Sequence, residues 1–548
     1  MRVIGSGESL DLEPGSSFAI EMENPMLDDS GMPTAYSTQV TFPLTPGNMR
    51  VFGYVDMLMF DPRVKTLAVE LWICGVMMFS GTLVYDSMED GKLNYTFSGK
   101  DVESEWDTKI WKRPILQRAV GESEIRALFS GIWAGNYESM GVFAPVMVNR
   151  DVASDSDSGL STQFHNHTDD VGLDDYHADK VMTPVFLLKT VLEPEFRLIT
   201  VDEAMEDYVA ALAMVGLYKT DTDTTYNGWP ADKVEIESSL PDVSGYEVMQ
   251  GLLKIFCAAL YVDGQGYRMM SAESVLSADA ELDWTWKVSD DWDAALEEAQ
   301  GYRFSYDNAD DENTMGSADA AKVGGRNFLQ EIAEDLSSAF PNLRHFVLGD
   351  VYSKAGGYTD MVWHEMGNVE SENTENTFDN SVDFELVRSV PLRLQTRRES
   401  ADPEEDGTIM FLWFSYRMAP IVEPGELGER GSKMYVGLMN QGQLSDKQVV
   451  FADNADVEMS DHVADFNSGL SLAPKDLYEK FHKGFETWIA AERQALTVDV
   501  NLSPVDIANF RMWQKVLLRG RAFVVKKLSF TFYADSDRIE TTGDLLSV

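Results

Sequence analysis

Cysteine, histidine and positive charge are scarce in this sequence. Among 548 residues there are two cysteines and seven histidines. Two cysteines exclude a disulfide framework. Cys74 and Cys257 both stand in apolar runs (LWICGVMMF and IFCAALYV), which predicts that both are buried small hydrophobic side chains. The chain carries 44 Lys and Arg against 92 Asp and Glu, a net charge of −48. Such a surface is predicted to repel nucleic acid and anionic lipid.

Long hydrophobic runs are also lacking. No stretch approaches the roughly 18 apolar residues that cross a bilayer, and residues 1–10 lack the apolar core of a signal peptide. We therefore expect no membrane span and folding in a cytoplasm. Yet 44% of the residues are hydrophobic and 11% aromatic, which a disordered acidic chain would not be. The length predicts several domains, each with a core of its own.

The first hundred residues have the pattern of β-structure. Apolar residues alternate with polar ones, as at Phe18, Ile20 and Met22, and turn sequences such as EPG and TPGN separate the runs. The clearest predicted hairpin covers Val69–Asp101 and turns at the Glu-Asp-Gly of 89–91. Short alternating runs at this spacing indicate a small antiparallel barrel or sandwich.

A helix followed by a hairpin is predicted near the middle of the chain. Ser244 is a good N-cap, and the apolar residues of YEVMQGLLKIFCAAL fall on one helical face. The sequence YVDGQGYRMMS then predicts a tight hairpin with Gly264 and Gly266 at its tip. Residues 235–276 therefore predict an αββ module.

Further elements are predicted on either side of this module. Helices are expected from Thr183 onward, across Val201–Val215 and at Phe328–Leu336. Residues 283–310 predict a strand, a short helix, a strand and an acidic loop, and 411–418 predict a strongly apolar strand.

The C-terminal region is predicted to begin with the strongest helix, from about Pro474 to Leu496. Five apolar residues form one stripe on it: Leu477, Phe481, Phe485, Trp488 and Ile489. Strands follow, including a hairpin that turns at Gly520. This hairpin has the same apolar-strand, Gly-turn, polar-strand order as the N-terminal one, which suggests two related barrels.

The predicted fold class is α+β, mainly β, with small antiparallel β-barrels and inserted helical and αββ modules. Five domains are predicted, listed in chain order: a first barrel at 1–105, a mixed loop and helical insertion at 106–235, the αββ module at 236–310, a β-rich domain with loops at 311–470, and a helix plus the returning strands of a second barrel at 471–548.

Residues that carry chemistry do not form a recognisable motif. His165, His167 and His177 share an Asp-rich loop over 151–180, which has the residue types of a transition-metal site but equally those of a solvated loop. Residues 155–159 and 221–223 resemble fragments of calcium loops without the closing Glu. Nucleophile elbows and phosphate-binding loops are missing. We expect no catalytic residue, cofactor or metal, although 92 acids and 12 Trp leave a β-rich carbohydrate-active enzyme as an alternative.

One basic cluster stands out against the acidic background, and we term it the basic strip. Six cations lie within 17 residues: Arg511, Lys515, Arg519, Arg521, Lys526 and Lys527. One interpretation is a strand edge protected by charge. The other is an interface or lumen strip that meets an acidic partner surface or passing DNA.

Four stretches resemble tail hub proteins of phages of Bacteroidota. The first is LEPGSSFAIEMENPMLDDSG with VTFPLTPGNMRVFGY, and the second is the hairpin of 69–102 with its Phe-Ser-Gly. The third, 240–276, is similar to the αββ module of baseplate hubs. The fourth joins the helix of 476–489 to the strands of 516–532. Together they cover roughly a third of the chain and contain no catalytic residue.

The resemblance implies a non-enzymatic structural protein of the virion tail, assembled in the host cytoplasm. It implies a homotrimer whose two barrels per chain form a pseudo-sixfold ring, with the tail tube, distal tail and spike or tip proteins as partners and transient DNA passage through the lumen. The insertions at 140–180 and 300–380 depart from simple hubs. Another virion structural protein, such as a capsid or collar component, is an alternative.

Overall fold

The structure is a computed structural model. It describes residues 1–53, 66–113, 185–216, 240–307, 376–399, 410–422, 434–440 and 470–548, apart from 5, 35, 100 and 265, together with short strands between these ranges. The predicted helix at 328–336, the acidic fragment at 221–223 and the loop of 151–180, except the backbone of Phe164–His165, lie outside the described residues.

Two large sheets contain both ends of the chain. The N-terminal sheet is antiparallel, with strands in the spatial order Arg2–Val3, Thr66–Ile73, Val76–Glu89, Lys92–Ser98 and Ser37–Pro43. The C-terminal sheet has the order Leu282–Asp283, Val516–Leu518, Arg521–Tyr533, Ile539–Ser547, Arg493–Val500 and Val288–Glu297, with Ser17–Glu23 also paired to Arg521–Tyr533.

Smaller sheets surround these two. A three-stranded sheet joins Ile199–Val201, Gly266–Ser271 and Ala258–Asp263, and another joins Val369–Glu370, Gly301–Phe304 and Thr377–Asp379. A six-stranded sheet contains Glu385–Leu386, Tyr435–Asn440, Leu212–Val215, Val185–Leu187, Val142–Phe143 and Val450–Ala452. A five-stranded sheet contains Phe164–His165, Met147–Asn149, Met410–Val422, Arg388–Glu399 and Arg344–Val351. Two-stranded pairs are Thr225–Tyr226 with Trp229–Pro230 and Lys233–Glu235 with Ala119–Gly121.

Helices are short and lie between the strands. The α-helices are Pro46–Val51, Val102–Trp106, Leu188–Val191, Glu193–Phe196, Glu203–Ala211, Gly245–Ile255, Ala272–Ser277, Pro474–Leu477, Lys483–Ile489 and Pro504–Asn509. Pro25–Leu27 and Ile110–Lys112 are 3₁₀ turns, and Tyr478–His482 is a π-helical segment. The mainly β class with some helices is therefore confirmed, whereas no sheet among the described residues closes into a barrel.

The apolar core joins the two large sheets face to face. Phe79 of the N-terminal sheet has its ring centroid 5.8 Å from that of Phe530 and 6.1 Å from that of Phe532 in the C-terminal sheet. The ring centroids of Phe18 and Phe532 are 5.4 Å apart. Because strand Ser17–Glu23 pairs with Arg521–Tyr533, residues near the start of the chain complete the C-terminal sheet. The five domain boundaries themselves stay a prediction.

The predicted hairpin at 69–101 contains two turns instead of one. The second, at Asp90 and Gly91, has positive φ at both residues (49° and 73°), as a tight two-residue hairpin turn requires. The first is at Cys74 and Gly75, with φ of 51° and 79°, and it divides the apolar run into two strands. Cys74 is therefore exposed, and the prediction that it is buried is wrong; Cys257 is buried as predicted.

The αββ module is confirmed. Ser244 Oγ accepts a hydrogen bond from the Glu247 backbone N–H at 3.1 Å, and the Glu247 carboxylate accepts from the Ser244 N–H, which completes a capping box. Strands Ala258–Asp263 and Gly266–Ser271 form the hairpin, with Gly264 at φ 62° in its turn.

Four predicted helices differ from the structure. The segment from Thr183 begins with the strand Val185–Leu187. Within 201–215 only Glu203–Ala211 is helical, and Leu212–Val215 is a strand. The reason is that both strands pair within the six-stranded sheet. The short helix expected within 283–310 is the strand Val288–Glu297. The C-terminal helix ends at Ile489, since the chain from Arg493 pairs with Ile539–Ser547.

Candidate interface site

The C-terminal hairpin positions the basic strip. Val516–Leu518 and Arg521–Tyr533 pair around Arg519 and Gly520, whose φ values are 49° and 84°. Phe523, Val524 and Val525 are buried, while Arg521 and Lys526 are exposed. A register shift between Val525 and Lys527 marks a β-bulge opposite Ile539–Ser547. The strip therefore begins before the turn and continues along the central strand of the sheet.

Arg511 and Lys515 bind the αββ module and the helix that follows it. Arg511 Nε donates to Asp263 Oδ1 at 3.1 Å. Lys515 is 5% exposed, and its Nζ donates to the Leu276 carbonyl at 2.6 Å. Burial lowers the pKa of Lys515, and Asp279 opposes that shift. These two cations are part of the internal contact between the module and the C-terminal sheet.

Arg519 and Arg521 lie at the turn of the hairpin. Arg519 Nη2 lies 2.8 Å from Asp290 Oδ1, and its guanidinium carbon lies 4.3 Å from the centroid of the Trp292 ring, within cation–π range. Arg521 Nη1 donates to the neutral Gln494 Oε1 at 2.8 Å. Arg521 thus has no carboxylate partner among the described residues.

Lys526 and Lys527 contact different neighbours although they are adjacent in sequence. Lys526 Nζ lies 2.9 Å from Glu297 Oε1, and Lys527 Nζ lies 2.7 Å from Glu21 Oε2 and 3.5 Å from Glu23 Oε1. The hydrogen bond to Glu21 is the main reason that the pKa of Lys527 is raised. Lys527 therefore contacts strand Ser17–Glu23, its neighbour in the sheet.

Acidic surfaces of the same chain thus meet four of the six cations, those at 511, 519, 526 and 527. Sequence analysis found the cations but not these carboxylates, because Glu21, Asp263, Asp290 and Glu297 are hundreds of residues away in the chain and no local spacing connects them. Whether the strip also meets a second molecule stays a prediction.

A buried polar network lies elsewhere in the core, around His482. Its Nε2 donates to the Ile255 carbonyl at 2.9 Å, so Nδ1 accepts from the Tyr302 hydroxyl at 2.6 Å. Asn380 Nδ2 donates to the same hydroxyl at 3.1 Å and to the Lys254 carbonyl at 2.8 Å. Complete burial lowers the pKa of His482 to about 4, so the ring is neutral at pH 7. The network joins the αββ helix, the strand Gly301–Phe304, the residue that follows Thr377–Asp379 and the π-helical segment.

Sequence analysis did not single out His482, since one histidine in an amphipathic helix gives no signal. Burial raises the pKa of the neighbouring Cys257 to about 12, which makes its thiol a poor nucleophile. The network thus has the properties of a structural contact, in which buried hydrogen bonds connect several elements of the fold.

Metal-binding clusters and membrane-spanning helices are absent from the described residues. No group of three or more His, Cys, Asp or Glu in the described part of the chain could hold a metal ion. The metal hypothesis for the loop of 151–180 is untested, because His167, His177 and the Asp residues lie outside the described residues. None of the helices described is both long and apolar enough to pass through a membrane.

Comparison with known proteins gives structural neighbours only. No family model matches the chain, and no curated protein matches its sequence. One similar solved structure is the 43 kDa tail protein of prophage MuSo2 from Shewanella oneidensis, at 9% identity and a TM-score of 0.31 over 97% of this chain and 94% of that chain. Another is the tail protein from Neisseria meningitidis MC58, at 8% identity and a TM-score of 0.31 over 97% and 92%.

Proposed function

We propose that this chain is a non-enzymatic structural component of a phage tail: a baseplate hub or tail-tip ring that adapts the tail tube to a distal spike or tip. The proposal starts from the four stretches whose sequences resemble tail hub proteins. It includes a homotrimer in the virion tail, with tail tube, distal tail and spike or tip proteins as neighbours.

The observation that supports it most is the contact among those four stretches, which are far apart in sequence. Ser17–Glu23 of the first pairs with Arg521–Tyr533 of the fourth. The Leu260 N–H of the third donates to the Gly31 carbonyl of the first at 2.8 Å. Phe79 of the second packs on Phe530 of the fourth. The stretches that carry the resemblance therefore form one continuous core.

Charge is compatible with this role. An acidic lumen lets DNA, a polyanion, pass without adhering. Within the basic strip, Arg511, Lys515 and Lys527 are half-buried or buried, whereas Arg519, Arg521 and Lys526 are more exposed. In the proposed ring, these three exposed cations are the part of the strip that contacts an acidic neighbour.

Electron microscopy of the purified full chain, alone and mixed with tail tube protein, tests the proposal. We expect ring-shaped particles with threefold symmetry that bind to the end of the tube. A closed shell would favour the capsid or collar alternative. A monomer that hydrolyses a polysaccharide would favour the carbohydrate-active alternative, and either outcome would refute the hub.

The strip is tested by Arg521→Glu, because Arg521 has only a neutral partner in its own chain and the substitution breaks no ion pair there. We expect the ring population to fall while the unfolding curve is unchanged. Lys475→Glu is the matched control, since Lys475 is also exposed and has no ion pair among the described residues, but lies at the start of the C-terminal helix. Equal ring formation by both variants would remove the strip from the interface.

A further inference from the structure

The strand Val288–Glu297, which we term the edge strand, has a partner on one side only. It pairs antiparallel with Arg493–Val500, from Trp292 opposite Val498 to Glu297 opposite Arg493. No other strand of the described residues pairs with its second side. In an antiparallel ladder, alternate residues direct their N–H and C=O groups away from the partner. The outer side of the edge strand therefore presents a row of backbone donors and acceptors.

One face of the edge strand continues the apolar face of the sheet. Val498 and Leu496 are buried, and the residues opposite them are Trp292 and Ala294. Leu296 follows on the same face, since side chains two positions apart share a face, and it is 70% exposed. Just before the strand, Trp286 is 91% exposed. Apolar surface is thus uncovered where the sheet ends.

Acidic residues occupy the rest of this surface. Asp290 is paired with Arg519 and Glu297 with Lys526. Asp291 and Asp293 are exposed and have no ion pair within the part of the chain that is described. Two carboxylates beside the open edge therefore favour a positively charged neighbour.

The edge strand lacks some of the residues that usually protect an edge, although its carboxylates and the β-bulge between Val288 and Trp292 give partial protection. Lys, Arg and Pro are missing from VSDDWDAALE. The part from Ala294 onward consists of Ala, Leu and Glu, which favour helix, so pairing holds it extended against its local preference. Such a conflict between local preference and fold is typical of functional sites.

We propose that the edge strand is a docking site for β-strand addition, and that its occupant is a strand of another protein in which Lys or Arg alternates with apolar residues. The apolar side chains cover Leu296 and Ala294, the cations meet Asp291 and Asp293, and the backbones form a ladder. A second copy of the same strand is disfavoured, because it would place carboxylates opposite carboxylates. This docking chemistry is independent of the proposed tail role.

The probe is an eight-residue peptide that alternates lysine and valine, mixed with the full chain and followed by fluorescence anisotropy and hydrogen exchange. We expect binding together with slower exchange of amides within 289–297. A peptide alternating glutamate and valine is expected to bind at least tenfold more weakly. The lysine peptide N-methylated at alternate residues is expected not to bind, because it cannot complete the ladder.

Two double variants separate docking from general attraction to a chain of net charge −48. We expect Asp291→Lys with Asp293→Lys to weaken lysine-peptide binding at least tenfold. We expect Asp101→Lys with Glu103→Lys, equal in charge change and also exposed, to have little effect. Leu296→Ser tests the apolar contact and is expected to weaken binding several-fold with an unchanged unfolding curve.

Four results would overturn the proposal. The first is slow exchange, in the free chain, of those amides of 289–297 that face away from Arg493–Val500, since the edge would then already be covered. The second is protection that rises with protein concentration in the absence of peptide, which would make a second copy the occupant. Equal binding of the N-methylated peptide, or equal weakening by both double variants, would show nonspecific charge attraction.

Discussion

Two strands of the C-terminal sheet differ in almost every respect. Arg521–Tyr533 has neighbours on both sides, and its apolar residues are buried. Val288–Glu297 has one neighbour, and no residue of it is fully buried. The first has a β-forming sequence, whereas the second has helix-favouring residues from Ala294 onward. The difference indicates that pairing within a sheet can hold a segment extended even where its residues favour helix.

The largest effect is expected in the core, at Phe481. Its ring packs edge-on against Tyr208 and Phe256, with centroids 5.5 and 5.4 Å away. Phe481→Ala removes these contacts and leaves a cavity, so we expect the free energy of unfolding to fall by about 3 kcal/mol or more. Urea denaturation measures it. Leu296→Ser in the edge strand is the control and is expected to change it by less than about 0.5 kcal/mol.

Acid is expected to weaken the same core through His482. Its pKa is about 4 in the folded chain and 6.5 ordinarily. Between pH 4 and pH 6.5 the imidazole is therefore protonated in the unfolded chain and neutral in the folded chain. The contribution of neutral His482 to the free energy of unfolding is therefore fully present above pH 6.5 and is lost as the pH falls towards 4, by about 3 kcal/mol in total. The carboxylates of the chain also titrate there, so the quantity to compare is the difference between wild type and His482→Gln. Parallel pH profiles for the two proteins would contradict the assignment.

A smaller effect is expected at the seam, by which we mean the contact between strand Ser17–Glu23 with the adjoining Asn24 and the rest of the C-terminal sheet. Asn24 is buried, and its Nδ2 donates to the Met512 and Val525 carbonyls at 3.1 and 2.9 Å. Asn24→Ala leaves two carbonyls without this donor, so we expect a loss of about 2 kcal/mol in denaturant unfolding. Asn501→Ala, at an exposed position, serves as the comparison. Equal midpoints for both variants would mean that the seam adds nothing.

The smallest effect is expected at the edge, for Lys526→Ala. Its ion pair with Glu297 is partly exposed, with side-chain exposures of 45% and 31%. Such pairs contribute about 0–1 kcal/mol and are screened by salt. We expect a shift of that size in low salt that disappears in high salt. A loss as large as that for Asn24→Ala would show that the edge strand is anchored as firmly as the core.

Sequence alone predicted those elements whose local pattern of apolar, capping and turn residues matches their burial in the fold. The αββ module carries its own cap, stripe and glycine turn, and all three were found. The five residues of the C-terminal stripe are buried. Predictions failed for two different reasons. A distant partner decides the structure of Ala294 and Leu296, which are extended because they lie beside Arg493–Val500. A local turn that the apolar run concealed makes Cys74 exposed.

The basic strip shows the same limit for the candidate site. Six cations in 17 residues are visible in the sequence, but which carboxylate each one meets depends on pairing between opposite parts of the chain. Likewise, the edge strand gave no sequence signal, because an unpaired edge is a property of the assembled sheet.

The hydrogen bond between Asn24 and Val525 joins residues that are 501 positions apart. At roughly 5–20 residues per second, the ribosome needs roughly 25–100 s to make the intervening chain. Throughout that time the segment Ser17–Glu23 lacks its neighbour Arg521–Tyr533, so Phe18 and Ile20 are exposed to solvent and to other proteins of the cell. Completion of the sheet therefore waits for the end of translation, and a stalled ribosome would release a product that is a natural target for chaperones and proteases.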